Sequence, residues 1–209
     1  MSSVVPIDHL QSEGFSLEAL KAGDRAEFSR LVDTYSGKIY RLAIKMLNHP
    51  QDAEDILQET FLKAYRYLPE FDGRSKLSTW LYRIATNEAL MFIRRHKAQL
   101  VSIDEQVETD DGDMEPTAII DWCCMPESEL MSSEGRAYLD LAIQKMPESL
   151  RLVFLLRDIE SLSTAETAEA LGLSETAVKT RLSRARMYLR EELSHYYGER
   201  LEGQTYGAH

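Results

Sequence analysis

The stretch from Leu162 to Arg190, LSTAETAEALGLSETAVKTRLSRARMYLR, most constrains what this chain can fold into. Its pattern predicts a short helix from about Ser163 to Leu171, a turn at Gly172, and a second helix capped by Ser174. Two helices joined by a glycine turn are typical of a helix-turn-helix. The second helix has one apolar stripe at helical spacing, formed by Val178, Leu182, Ala185 and Leu189.

The other face of this second helix is polar and basic. Five bases and no acid lie between Lys179 and Arg190. Such a helix fits the major groove of duplex DNA, where Arg, Lys, Ser and Thr reach base edges and phosphates. The alternative is an ordinary helical hairpin with a solvated charged face, but the single sign of the charge favours DNA binding.

The formal net charge of −11 is unusual for a DNA-binding protein, but one segment accounts for it. Residues 98–135 contain eleven acids and no Lys or Arg, so the rest of the chain is electrically balanced. This segment is predicted to be a linker. Its apolar cluster of Ile119, Ile120 and Trp122 either docks on the protein or forms a short partner-binding motif.

The expected fold class is all-α, with two small helical domains joined by the acidic linker. The N-terminal part is a helical bundle and the C-terminal part contains the helix-turn-helix. Because the linker is long and polar, we expect the two domains to associate loosely. The predicted bounds are a flexible leader at 1–16, the first domain at 17–97, the linker at 98–131, the second domain at 132–194, and a flexible tail at 195–209.

Several function classes are disfavoured by the sequence. No apolar run approaches a membrane span, and the first residues lack the pattern of a signal peptide, so a cytoplasmic protein is expected. The five histidines are scattered and no glycine-rich phosphate loop is present, so we expect neither an enzyme nor a cofactor or metal. The adjacent Cys123 and Cys124 suit neither a structural disulfide nor a zinc site.

Three helices are predicted before residue 69. The first begins near Asp24, the second carries an apolar stripe from Ile39 to Met46, and the third spans Asp52 to Leu68. Acidic residues gather in the first half of the third helix. This placement favours the helix macrodipole and needs no partner, and a protein-binding face is the alternative interpretation.

A basic loop and a long helix follow between Phe71 and Lys97. Leu77, Trp80, Leu81, Ile84 and Met91 are predicted to form the buried side of this helix. Cations lie on or near its open side, interleaved with Trp80, Tyr82 and Phe92. Bases beside aromatic rings are what single-stranded nucleic acid binding requires, whereas the alternative is a core with a solvated basic face.

At this point the chain resembles a bacterial RNA polymerase sigma factor of the extracytoplasmic-function (ECF) type. Two stretches carry the resemblance, and they are similar to regions 2 and 4 of that family. The first is DAEDILQETFLKAYRYLPEFDGRSKLSTWLYRIATNEALMFIRR, and the second is MPESLRLVFLLRDIESLSTAETAEALGLSETAVKTRLSRARMYLR. The resemblance implies a protein that binds core polymerase, directs it to promoters and helps to open the −10 element.

The resemblance also implies roles for individual residues. Contacts to the clamp helices of the largest polymerase subunit would fall on Asp52, Asp55, Gln58, Glu59 and Phe61. Contacts to the single-stranded −10 element would fall on Arg74, Lys76, Ser78, Thr79, Trp80, Arg83, Asn87, Arg94 and Arg95. Contacts to the duplex −35 element would fall on Ser174, Glu175, Thr176, Lys179, Thr180, Arg181, Arg184 and Arg186.

The implied partners are core RNA polymerase, including its flap region, and promoter DNA, with an anti-sigma factor as a candidate inhibitor. One departure from the family is visible, since Met91 stands where an acid often follows the asparagine matching Asn87. The competing interpretation is a helix-turn-helix activator that binds duplex DNA without joining polymerase. That class predicts a sensing or phosphorylation module at the N-terminus, and the doubly wound strand–helix alternation typical of such a module is not found there.

Overall fold

The structure is a computed structural model that describes residues 14–101 and 133–205. We refer to these two ranges as the N-terminal unit and the C-terminal unit. The predicted apolar cluster of Ile119, Ile120 and Trp122, and the pair Cys123 and Cys124, lie outside the described residues. Within the described ranges all regular secondary structure is helical, which confirms the predicted all-α class.

The N-terminal unit is a helical bundle. Its helices are α1 (Leu17–Lys21), α2 (Arg25–Leu47), α3 (Pro50–Tyr67) and α4 (Leu77–Val101). Asp24 starts α2 by accepting hydrogen bonds from two backbone N–H groups, and α3 ends in a 3₁₀ turn at Leu68–Glu70 that contains Pro69. The core includes Leu31, Leu42 and Leu81, each at most 1% exposed. Burying each of these side chains contributes about 2 kcal/mol to stability.

Helix α2 differs from the prediction, because it unites the two helices expected between Asp24 and Met46. The glycine at position 37 lies inside the continuous helix and does not interrupt it. Tyr35 and Ile39 on either side of it are both buried. The packing of this stripe outweighs the low helix propensity of one glycine, which is about 1 kcal/mol.

Helix α4 also differs from the prediction, because it is covered on more than one side. Leu77 and Leu81 are buried and Trp80 is half-buried, as expected, but Met91 is 40% exposed. Tyr82, which the sequence left either beside the open cations or in a core, is only 2% exposed. The reason is that α4 packs against α2 and α3 and also against a helix of the C-terminal unit. A single amphipathic stripe cannot describe a helix with several neighbours.

The C-terminal unit contains α5 (Ser133–Lys145), α6 (Glu148–Phe154), α7 (Thr164–Leu171) and α8 (Glu175–Thr205). A π-helical turn at Leu155–Ile159 continues α6. Helices α7 and α8 form the helix-turn-helix, and the predicted apolar stripe of α8 is buried at all four positions. Helix α8 continues through most of the predicted flexible tail, and α4 extends to Val101, past the predicted start of the linker.

The two units are in contact, contrary to the expectation of loose association. Helix α4 packs against α7, and α2 packs against α5 and α6. Buried side chains of both units belong to one hydrophobic core. Polar groups also meet across the boundary, since the Tyr82 hydroxyl donates a 2.6 Å hydrogen bond to Glu160. The length and polarity of the predicted linker did not reveal the affinity of the two surfaces on either side of it.

Candidate polymerase and nucleic-acid interfaces

The turn of the helix-turn-helix is built by local capping. Ser163 accepts a hydrogen bond from the backbone N–H of Glu166, and the Glu166 carboxylate accepts one from the N–H of Ser163. This reciprocal capping box begins α7. Gly172 ends the helix at φ 65°, a left-handed conformation that glycine adopts without a steric penalty. These contacts hold α8 at a defined angle to α7.

The start of α8 presents a shallow polar groove of about 520 Å³. Thr176 and Thr180 lie beside Arg181 and Arg184 along it. All residues predicted to contact the −35 element are on the surface, and Arg181 is the one among them that is half-buried. The surface-exposed members of that set are Ser174, Glu175, Thr176, Lys179, Thr180, Arg184 and Arg186.

A second basic groove, of about 450 Å³, runs along the other side of α8. Lys179, Arg186 and Arg190 line it together with Arg157 from the π-helical turn. Sequence reasoning missed Arg157, although a base on the helix before a helix-turn-helix is a usable signal. Its guanidinium donates to the carbonyl of Leu162.

Arg186 is engaged by an acid of its own unit. Its guanidinium donates two hydrogen bonds to Asp158, at 2.9 and 2.7 Å. These hydrogen bonds raise the pKa of Arg186 above its ordinary value. Asp158 therefore competes with any phosphate that approaches this cation.

The basic loop and α4 place most of the predicted −10 residues at the surface. Those that are exposed are Arg74, Lys76, Arg83, Asn87, Arg94 and Arg95. Trp80 and Ser78 are half-buried, and the Trp80 ring centroid lies 5.0 Å from that of Phe71. Arg74 is paired with Asp72. Thr79 is only 1% exposed and lies beneath the surface, because the packing of α4 covers its side.

Lys76 pairs with the C-terminal unit. Its ammonium lies 2.7 Å from Oε1 of Glu166, the residue that caps α7. Burial acts to raise the pKa of Glu166, but hydrogen bonds from Lys76 and Ser163 outweigh burial and hold that pKa below its ordinary value. Glu166 is therefore ionised at neutral pH and attracts Lys76.

Helix α3 forms one wall of an apolar groove of about 600 Å³ between α2 and α3. Leu62 and Tyr65 are 62% and 49% exposed on this wall. Among the residues predicted to contact polymerase, Gln58 and Phe61 line the groove, although Phe61 is only 8% exposed. Asp55 is exposed on the same helix, while Asp52 and Glu59 are half-buried. Sequence reasoning missed Leu62 and Tyr65, which lie off the buried stripe of α3.

Among residues 14–101 and 133–205, no helix is long and apolar enough to cross a bilayer. Within the same ranges, no cluster of His, Cys, Asp or Glu side chains is arranged to hold a metal ion.

A helical bundle with a basic loop and helix, followed by a helix-turn-helix, defines a two-part DNA-binding transcription factor.

Comparison with known sequences identifies which such factor this is. Residues 31–99 match the family Sigma-70 region 2, and residues 136–189 match Sigma-70, region 4. The chain belongs to the sigma-70 family, in its ECF type, and is a sigma factor that directs RNA polymerase. Members of this family are transcription initiation factors rather than enzymes. The alternative of an activator that does not join polymerase is not favoured.

Individual relatives agree with this assignment. The ECF RNA polymerase sigma factor SigW of Bacillus subtilis is 38% identical over 177 residues, covering 85% of this chain and 94% of that protein. The ECF RNA polymerase sigma-E factor of Escherichia coli K12 is 33% identical over 171 residues, covering 81% and 88%. The fold is similar to that of sigma factor RpoE in its complex with the anti-sigma factor NepR from Bartonella quintana, with TM-score 0.60, 23% identity, and coverage of 80% and 96%.

Proposed function

We propose that this sigma factor docks on core polymerase through the apolar groove between α2 and α3. The observation that carries this proposal is the exposure of Leu62 and Tyr65 on a wall of that groove. Large apolar side chains that remain exposed beside a concave surface are typical of a protein interface. The acid Asp55 and the amide Gln58 lie exposed on the same helix and supply a polar rim.

The occupant that suits this groove is a helical surface of the polymerase clamp. Two helices form its walls, with Phe28 and Phe61 between them. An amphipathic helix inserts apolar residues into such a groove and leaves its polar face at the rim. The direct contacts to the clamp helix are then made by Asp55 and Gln58. The contact is supported from the side or from beneath by Asp52, Glu59 and Phe61.

The basic loop and α4 are proposed to hold the non-template strand of the −10 element. Exposed Arg83, Arg94 and Arg95 supply charge along the helix, and Trp80 offers part of an aromatic ring. Stacking of one unpaired base on such a ring contributes roughly 1–3 kcal/mol, which offsets the cost of separating a base pair. Thr79 is proposed to support this surface from within rather than to touch DNA. The remaining contacts are proposed for Arg74, Lys76, Ser78 and Asn87.

The recognition helix α8 is proposed to read the −35 element in the major groove. Thr176, Thr180, Arg181 and Arg184 line the groove at its start and are placed for base edges. Lys179 and Arg186 lie on the other side of the helix and are placed for the phosphate backbone. Ser174 accepts a hydrogen bond from the N–H of Ala177 and so caps the helix while facing the DNA.

Further partners follow from this role. The flap region of polymerase is proposed as the partner of the C-terminal unit, and an anti-sigma factor as an inhibitor. The complex of RpoE with NepR supports the second proposal by analogy. The site of action is proposed to be the cytoplasm, where the promoter and polymerase are found.

The polymerase site is tested by a matched pair of tyrosines on α3. Tyr65 and Tyr67 are 49% and 45% exposed, but only Tyr65 lines the groove. When each variant is titrated against core polymerase, Tyr65→Ser should lower the affinity for core polymerase about tenfold. Tyr67→Ser should leave it nearly unchanged. Equal effects of the two substitutions would place the polymerase site elsewhere.

A further inference from the structure

One apolar side chain interrupts the cationic face of α4. From Leu77 to His96, the exposed residues of this helix are Arg83, Asn87, Met91, Arg94, Arg95 and His96. Met91 is 40% exposed and is the one apolar side chain in that set. Positions 83, 87, 91 and 94 follow one another at helical spacing and so share one side of the helix. Met91 therefore lies between an amide and a guanidinium, in the middle of the surface that is proposed to hold the −10 strand.

The charge of this surface suits a nucleic acid. Glu88 is the single acid between Leu77 and Lys97, and its side chain is only 12% exposed. Its Oε2 lies 2.6 Å from Nζ of Lys63 on α3, so the charge of this carboxylate is balanced on the side away from solvent. The exposed surface of α4 thus carries cations without a competing acid of its own helix, and a polyanion has the complementary charge.

The packing of the bundle does not account for Met91. Its neighbours Leu90, Phe92 and Ile93 pack against the hydrophobic core, and Met91 does not. A single exposed apolar residue on a polar surface needs no explanation by itself. Here, however, the residue lies among the groups that would hold phosphates, so an unpaired base of a strand that follows α4 meets it directly.

We propose that Met91 selects thymine at one position of the −10 element, through contact of its thioether with the C5 methyl group of the base. This inference rests on the proposed role of α4 in holding that strand. The thymine methyl is the one apolar group on the edges of the four DNA bases, and the flexible, polarizable methionine side chain adapts to it. Cytosine in the same place would turn an amino group towards a very weak acceptor and would lose a hydrogen bond to water.

The test uses the holoenzyme formed by the full-length chain and core polymerase. Its templates are built on a promoter that the wild-type holoenzyme selects from a genomic library, with the −10 region held unpaired and randomised on the non-template strand. Sequencing of the bound templates should show enrichment of thymine at one position with the wild type. Met91→Gln, a neutral side chain of similar length, should lose that enrichment and keep the preferences at the other positions. Leu141→Gln is the control, because Leu141 is 52% exposed on α5, away from α4.

A single methyl group then isolates the contact. Deoxyuridine in place of thymidine at the selected position removes only the C5 methyl group, and it should lower the affinity of the wild-type holoenzyme about fourfold. The same replacement should change the affinity of Met91→Gln far less, and Met91→Leu should keep most of the wild-type response. Equal responses of wild type and Met91→Gln would overturn the proposal. Weaker binding of Met91→Gln to core polymerase, with an unchanged base preference, would also overturn it and make Met91 a protein contact.

Two arginine variants distinguish failure of this inference from failure of the proposed DNA contact. Arg83→Gln and Arg94→Gln should weaken binding of the randomised templates whatever base they carry. If they do so while the thymine preference is independent of Met91, the inference fails and the role of α4 stands. If neither arginine variant changes template binding, α4 does not hold the strand, and both the proposed role of α4 and this inference are rejected.

Discussion

The hydroxyl of Tyr82 donates a hydrogen bond to the carboxylate of Glu160 across 78 residues of sequence and across the boundary between the two units. The tyrosine is 2% exposed and the glutamate side chain 5%. Burial, together with the adjacent carboxylate, raises the pKa of Tyr82 above its ordinary value. The hydroxyl therefore remains protonated and can donate at any physiological pH.

Removing this donor should destabilise the packed chain. Tyr82→Phe leaves the Glu160 carboxylate buried without its hydroxyl partner, and we expect the free energy of unfolding to fall by about 1–3 kcal/mol. Urea denaturation of the full-length chain measures this change. Tyr40→Phe is the control, because Tyr40 is a half-buried tyrosine that packs against the same core. A loss no greater than that of the control would contradict the importance of this hydrogen bond.

Two glycines should respond to alanine in opposite directions. Gly172 has φ 65°, and the methyl group of an alanine there would meet no neighbouring atom within 4 Å. Gly172→Ala should therefore cost about 1 kcal/mol through backbone strain alone. Gly37 lies inside helix α2, and the methyl group of an alanine there would lie 3.6 Å from Nη1 of Arg41, which is an ordinary contact. Alanine there should stabilise the chain by about 0.5–1 kcal/mol. Urea midpoints that shift in the same direction for both variants would contradict this difference in backbone strain.

The pair formed by Asp158 and Arg186 should limit duplex binding. Asp158→Asn removes the competing charge, so the Arg186 guanidinium becomes available to a phosphate. We expect tighter binding to promoter duplex at low salt, with the slope of log affinity against log salt steeper by up to about 1. Glu169→Gln controls for net charge, because Glu169 is exposed on α7. A slope unchanged by Asp158→Asn would mean that Arg186 does not reach the DNA backbone.

Acid should remove the contribution of Glu166 to stability. Its pKa in the folded chain lies below the ordinary value, so its contribution is complete above the unfolded carboxyl pKa of about 4.3 and is lost as pH falls through the folded value. The difference in unfolding free energy between wild type and Glu166→Gln should therefore be constant near neutral pH. It should shrink below about pH 4. A difference that grows on acidification would contradict this sign.

The helix-turn-helix was predictable because its determinants are local. The cap at Ser163, the turn at Gly172 and the buried stripe of α8 follow one another along a short stretch of chain. The exposed bases of α8 follow directly from the position of that stripe. Local patterning of this kind needs no knowledge of the rest of the chain.

The contacts between the units were not predictable in the same way. The local pattern left Tyr82 either beside the open cations or in a core, because its hydrogen-bond partner Glu160 lies 78 residues away in the chain. The pairing of Lys76 with Glu166 has no local sequence signal, because the two residues belong to different units of the chain. The exposure of Leu62 and Tyr65 was missed for a related reason, because only the packing of α2 against α3 decides which apolar residues outside the buried stripe remain uncovered.

The Glu166 carboxylate makes two contacts at once. Its Oε2 caps the first helix of the helix-turn-helix, and its Oε1 pairs with Lys76. Thermodynamic coupling through a shared group is reciprocal. If binding at the C-terminal unit weakens the hold of Glu166 on Lys76 by some factor, then occupancy of Lys76 by a phosphate must favour that same binding by an equal factor. A single side chain would thus couple ligand binding at the C-terminal unit to phosphate binding at Lys76, so that each favours the other.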